Sequence, residues 1–149
     1  MICIGFYQYI MKKKEIVAMH KNKKTVKILL EEANSQIQTI SVETAKEYLS
    51  KKDFTFIDLR DIRELKKTGK IPKSFSCPRG MLEFWIDPES PYHKEIFSQK
   101  KKFVFYCASG WRSALSTKTA NEMGLEEACH IEGGFSAWVK SNGEVETVE

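Results

Sequence analysis

The sequence predicts an α/β domain with a mainly parallel central sheet, and three observations predict it. β-rich runs of three to six residues recur along the chain. Between them lie stretches whose apolar residues fall at helical spacing, and strands alternating with helices build parallel sheets. The chain has 149 residues, 42% of them hydrophobic, which suits one such unit.

The elements follow in order. Over residues 24–37, Val26, Leu29, Leu30, Ala33 and Ile37 share a helical face, with Asn22 as N-cap. Residues 37–40 alternate briefly and read as a short first strand. Ser41 caps a helix to about Leu49, with Glu43 near its positive end. Residues 54–59 form an apolar run of the kind found in buried parallel strands. A helical turn through Ile62 and Leu65 ends at Gly69, and residues 75–77 read as a strand stopped by Pro78. Pro88, Ser90 and Pro91 punctuate the middle before a helix expected over 92–97. Residues 103–106 are the strongest strand, and a helix from about Arg112 to Met123 stops at Gly124. Residues 129–131 are a last strand and 135–139 a last helix.

The formal net charge of +4 is unevenly spread. Residues 12–27 carry seven lysines against one acid, Glu15, whereas residues 31–149 have a net charge of −2. A nucleic-acid protein would carry its basic stripe on the folded face, interleaved with aromatics, so no nucleic-acid partner is expected. The first eleven residues are mostly apolar and precede the lysines, the reverse of a secretory signal. No stretch reaches 18 apolar residues, so no spanning helix and no membrane partner are expected. Residues 1–23 read as a flexible lysine-rich leader, its start either disordered or preceding a true start at Met11. Residues 24–40 read as a helical extension, 41–143 as the domain and 144–149 as a tail. The expected location is cytoplasmic.

Cysteine bears on the chemistry. Cys3, Cys77, Cys107 and Cys129 lie in a chain without an export signal, which argues against a disulfide framework. There is no Cys-x-x-Cys, and His20, His93 and His130 are not at zinc-ligand spacing, so no metal site is expected. Cys77 and Cys129 fall in strands and read as core; Cys3 is reactive only if exposed. In parallel folds, ligands sit at the carboxyl ends of strands, which directs attention past Tyr106. There Cys107 ends the strongest strand, Ala108, Ser109, Gly110 and Trp111 form a short loop, and a helix begins near Arg112 or Ser113. A thiolate at a helix N-terminus is stabilised by the dipole and by unpaired N–H groups. Gly110 permits the positive φ that curls backbone amides into a nest, and Arg112 adds charge at the rim. The reading requires that the Cys107 sulfur be reachable from solvent.

The segment Tyr106-Cys107-Ala108-Ser109-Gly110-Trp111-Arg112-Ser113 resembles the active-site loop of rhodanese-like sulfurtransferase domains. Upstream, Ile57-Asp58-Leu59-Arg60, Glu64 and Gly69-Lys70-Ile71-Pro72 resemble that family's Asp-x-Arg and Gly-His-Ile-Pro-Gly-Ala segments. Downstream, Gly133-Gly134-Phe135-Ser136-Ala137-Trp138 resembles its Gly-Gly-x-x-x-Trp signature. The match runs from about Ser41 to Gly143 in family order. Lys70 stands where the family usually has histidine, and Lys73 and Ser74 replace Gly-Ala, which affects local turn geometry. The segment from Pro78 to Trp85 is longer and more aromatic than a minimal family domain needs. It reads either as a pocket wall or as core packing by Met81, Leu82, Phe84 and Trp85.

The resemblance implies a rhodanese-like three-layer α/β/α fold and a sulfur relay. Cys107 would take the outer sulfur of an anionic donor such as thiosulfate, forming a persulfide. Cyanide, a thiol or a protein cysteine would then remove it. The backbone amides of Ala108, Ser109, Gly110, Trp111 and Ser113 would hold both anions, and no cofactor beyond the covalent persulfide is implied. Arg112, with Arg79, Arg60 and Trp85 as further candidates, would meet the donor; Asp58 and Glu64 read as carboxylates that orient arginines. Two rivals stand beside this reading. A persulfide-carrying or partner-binding module would use the lysine-rich arm for docking. A cysteine phosphatase would need Cys-x-x-x-x-x-Arg, one residue longer than the spacing from Cys107 to Arg112.

Overall fold

The computed structural model describes residues 2–19 and 23–149. Its strands are β1 (Gln38–Ile40), β2 (Phe54–Asp58), β3 (Phe75–Ser76), β4 (Lys102–Tyr106) and β5 (Cys129–Ile131). They form one sheet in the order β1-β5-β4-β2-β3, and every pairing is parallel. The helices are α1 (Ile2–Met19), α2 (Val26–Gln36), α3 (Val42–Leu49), α4 (Ile62–Thr68), α5 (Leu82–Ile86), α6 (Trp111–Glu122) and α7 (Gly134–Lys140).

Side-chain alternation along the central strands divides the interior into two cores. Phe56, Val104 and Tyr106 face one way and pack with Val42 and Ala45 of α3 and Phe135 and Trp138 of α7. Ile57, Phe103 and Phe105 face the other way, toward Leu82 and Ile86 of α5 and Ala120 of α6. The result is a sheet with helices on both faces. Helix α2 packs on α6, outside that face.

Local chemistry explains the helix starts. Ser41 accepts from the Thr44 N–H at 3.1 Å and caps α3. Asp61 and Glu64 form a reciprocal capping box at α4. Helix α2 is capped by Thr25, whose hydroxyl accepts from Ile28 N. The expected cap, Asn22, lies outside the described residues.

One expectation needs correction. Residues 92–97 are not an α-helix: only a 3-10 turn, Glu95–Ser98, forms there. The helix of that region is α5, inside the segment read as wall or core. The leader contains an 18-residue helix, α1, whose Ile4, Phe6, Tyr7 and Tyr9 are exposed. The terminal tail is tied down: Glu146 pairs with Lys70 through backbone hydrogen bonds of 2.9 Å in both directions. The Trp138 indole donates to Glu144 O at 2.8 Å, so the residues after α7 close over its buried face. Among the described residues, no helix is long and apolar enough to cross a membrane.

Candidate active site

The parallel order puts β4 between β5 and β2, so the loop leaving β4 emerges between two strand ends. That loop carries Cys107 and runs directly into α6. Gly110, at φ 106°, is the left-handed residue that turns the chain into the helix. The turn aims its N–H at the sulfur, 3.2 Å from Cys107 Sγ. Ser113 Oγ lies 3.6 Å from Sγ on the helical side.

The Gly-Gly pair holds the loop from behind. The Phe135 N–H donates to Cys107 O at 2.8 Å, and the Ser136 N–H donates to Ala108 O at 3.0 Å. Gly134 sits so close that a Cβ there would come within 2.5 Å of Cys107 O and 2.8 Å of Ala108 O. Its φ is 59°, so the position demands glycine on steric grounds as well.

Cys107 is only 1% exposed, against the expectation of an open sulfur. The cause is the same geometry: the loop closes on Sγ while α7 seals its carbonyl side. Ser109 and Trp111 at the loop's outer edge are exposed, Trp111 by 62%.

Glu64 grips Arg112 with two hydrogen bonds, 2.7 Å from one guanidinium nitrogen and 2.8 Å from the other. The Arg112 hydrogen bonds hold the Glu64 carboxyl below its usual range, and the carboxylate raises Arg112 in turn, with Cys107 as a weaker contributor. Arg112 is therefore a charge fixed in direction beside the loop.

Arg60 is elsewhere. It is 2% exposed and committed to Asp58, with Nη2 at 2.7 Å and Nε at 3.0 Å from the carboxylate. It also donates to Thr68 Oγ1 and Gly69 O, and its guanidinium lies 4.0 Å from the Phe135 ring centre. A group so enclosed cannot steer a donor, which corrects its proposed role; Asp58 is the carboxylate that orients it. Trp85 meets Phe75 edge-on at 6.0 Å and carries Lys94 over its ring, so it packs between elements. Phe84 is exposed, whereas Leu82 is core. Arg79 is exposed on the 3-10 turn Arg79–Met81.

Burial pushes the Cys77 thiol up to about 12 and the Cys129 thiol up to about 11, as suits core cysteines. Cys77, Cys107 and Cys129 are all unpaired thiols. The Cys3 side chain lies outside the described residues.

Sequence reasoning missed His130. It lies on β5 beside the loop, 4% exposed, with Nδ1 2.9 Å from Ser113 Oγ and Nε2 3.0 Å from Thr39 Oγ1. Burial pulls it down to about 4, so it is neutral at ordinary pH. It also lines a groove of about 750 Å³ between α2 and the outer side of the Cys107 loop. Nothing in the spacing of His130 marks it; only the strand order brings it to β4.

A model of the rhodanese-like domain matches residues 41–141. Mouse thiosulfate sulfurtransferase/rhodanese-like domain-containing protein 3 is 31% identical over 105 residues, 67% of this chain and 67% of its own. Thiosulfate:glutathione sulfurtransferase of Saccharomyces cerevisiae is 32% identical over 118 residues, 74% of this chain and 84% of its own. A solved structure from Rhodopseudomonas palustris is 54% identical with a TM-score of 0.78, covering 83% of this chain and 96% of that one. It is described as a protein of unknown function and possible tyrosine phosphatase.

Proposed function

The chain belongs to the rhodanese-like domain family, and from that premise we propose that it moves a sulfane sulfur from an anionic donor to a thiol through a persulfide on Cys107. The observation that carries this reading is the cradle around a single sulfur, with the Gly110 N–H 3.2 Å from Sγ at the entrance to α6. With thiosulfate as donor, the Cys107 thiolate attacks the outer sulfur. A bond forms from Sγ to that sulfur, the donor's S–S bond breaks, and sulfite leaves with the electron pair. An acceptor thiolate then takes the outer sulfur and Cys107 departs as thiolate. The persulfide is covalent, so the chemistry calls for no cofactor. The Gly110 amide that meets one sulfur anion can meet the extended one.

The name of the yeast relative supports thiosulfate as donor and a small thiol such as glutathione as acceptor; a protein cysteine is the other acceptor of the same chemistry. Three unpaired thiols support a reducing, cytoplasmic setting. Because Sγ is buried, the donor enters by displacing the loop's outer edge at Ser109 and Trp111.

Intact mass after thiosulfate treatment tests the reading. The expected result is a gain of one sulfur on Cys107, reversed by cyanide and absent in Cys107→Ser. Fresh, reduced protein that takes no sulfur would favour a carrier or partner-binding module without its own donor chemistry. The description of the R. palustris structure supports a second reading, a phosphatase. The shorter Cys-x-x-x-x-Arg loop and the pairing of Arg112 with Glu64 both favour the sulfur reading, because a tetrahedral phosphoryl group needs a wider ring of donors. Hydrolysis of aryl phosphates that disappears in Cys107→Ser would establish the rival.

A further inference from the structure

Cys107, Ser113, His130 and Thr39 form an unbroken chain of polar contacts from the buried sulfur to the groove under α2. The separations are 3.6 Å from Sγ to Ser113 Oγ, 2.9 Å from that oxygen to His130 Nδ1, and 3.0 Å from Nε2 to Thr39 Oγ1. Thr39 and His130 are register partners across β1 and β5, so the sheet itself fixes the outer contact. Thr39 is exposed at the sheet edge, and both it and His130 line the groove.

We propose that His130 is a positioning residue that acts as a tautomer switch, with Ser113 and Thr39, to carry the Cys107 proton to the groove. The inference rests on Cys107 being the reacting sulfur. In the thiol state the S–H donates to Ser113 Oγ, the Ser113 hydroxyl turns from Gly110 O, 3.2 Å away, to donate to His130 Nδ1, and Nε2–H donates to Thr39. On ionisation the S–H bond breaks and its electron pair stays on sulfur. The proton joins Ser113 Oγ, the former Ser113 proton joins Nδ1, and the Nε2 proton passes to Thr39. Thr39 releases its own proton to water in the groove. The end state is a neutral imidazole of the other tautomer: Nδ1–H donates to Ser113, Ser113 donates to the thiolate, and Thr39 donates to Nε2. Every donor has an acceptor in both states, and no charge is left on the buried ring.

The surroundings suit a neutral relay. The titratable or charged groups about the ring and its groove are Cys107 on the loop, Lys27 and Glu31 on α2, and Glu132 after β5. None of the three charged groups is within hydrogen-bond contact of the imidazole; its ring nitrogens are used by Ser113 and Thr39.

The test is the rate of sulfur loading on Cys107 from thiosulfate in the full chain, read by mass for wild type, His130→Gln and Thr39→Val, with the pH midpoint of iodoacetamide alkylation as the equilibrium control. Glutamine keeps a hydrogen-bonding side chain but cannot exchange tautomers. Thr39→Val keeps the β-branched shape at an exposed strand position, so it remains informative if His130→Gln does not fold. A relay sets how fast the proton leaves and not where its equilibrium lies, so the expected result is an alkylation midpoint like that of wild type in each variant, with sulfur loading roughly tenfold slower. Thr39→Val that loads sulfur at the wild-type rate overturns the relay and leaves the sulfur reading intact. Cys107 that neither alkylates nor gains sulfur in wild type removes the reading on which the relay rests.

Discussion

Glu64 and Arg112 meet through two parallel hydrogen bonds that join the helix after β2 to the first turn of the helix after the Cys107 loop. Glu64 also caps its own helix by accepting from the Asp61 N–H at 3.0 Å. One carboxylate thus fixes a helix start and aims a guanidinium at the site, in a fork that only arginine completes.

Glu64→Gln should free Arg112 and lower kcat/KM for thiosulfate about tenfold, a loss of about 1.4 kcal/mol in transition-state binding. Stability should fall by less than about 1 kcal/mol, because the pair is partly exposed and screened by solvent. Since Arg112 depresses the Glu64 carboxyl, the pair's contribution is present above the ordinary carboxylate range. It is lost as pH falls through the lowered value. Chemical denaturation between pH 3 and 7 should show this pH-dependent part missing in the variant.

Gly134→Ala puts a methyl into the carbonyls of Cys107 and Ala108 at a residue with positive φ. We expect a stability loss of about 2–3 kcal/mol and a larger fall in sulfur loading than the unfolded fraction accounts for. Parallel measurement of melting and persulfide yield separates the two effects.

Asp58→Asn leaves the Arg60 charge buried against Phe135 without its carboxylate. The expected cost is about 3–5 kcal/mol, read by urea unfolding. The KM for thiosulfate in the folded fraction should stay at the wild-type value, because Arg60 is enclosed and does not meet the donor. A raised KM would return Arg60 to the binding site.

Lys73 adopts φ 63°, a left-handed conformation that favours glycine. Replacing it with glycine relieves left-handed strain of about 1–2 kcal/mol, less the glycine's extra unfolded-state entropy. The net gain should be about 0.5–1 kcal/mol, seen as a Tm rise of a few degrees. The hydrogen bond from the Lys73 N–H to Glu146 is kept, since it is made by the backbone.

His130 makes stability fall in mild acid. Its folded value, about 4, lies below the ordinary 6.5, so the unfolded chain binds a proton first. Stability is unaffected above about pH 6.5 and is lost as pH falls from there toward 4, by on the order of 3–4 kcal/mol in all. Unfolding free energies for His130→Gln should lack that slope.

Much of the site could be read from residues in a row. Cys107 to Ser113 are contiguous, and strand, glycine and helix start announce a nest without knowledge of the rest of the fold. The boundaries of β2, β4, β5 and α3 were likewise legible, because apolar runs and caps are local signals. The middle was not: Pro88, Ser90 and Pro91 mark a break, yet the helix lies before them, where Leu82 and Ile86 find a core that neighbouring residues do not reveal. In sequence Arg60 and Arg112 are both candidate cations for an anionic donor, each following a β-rich run. Only burial distinguishes a guanidinium locked against Phe135 from one held beside the sulfur.

The sequence by itself determined the chemistry's address, because a nucleophile, its turn and its helix are neighbours along the chain and need only local backbone preferences. The tertiary structure decided how that sulfur is enclosed and what it communicates with. The order of parallel strands is set by long-range packing, and that order alone placed His130 and Thr39, from two other strands, in line with Cys107.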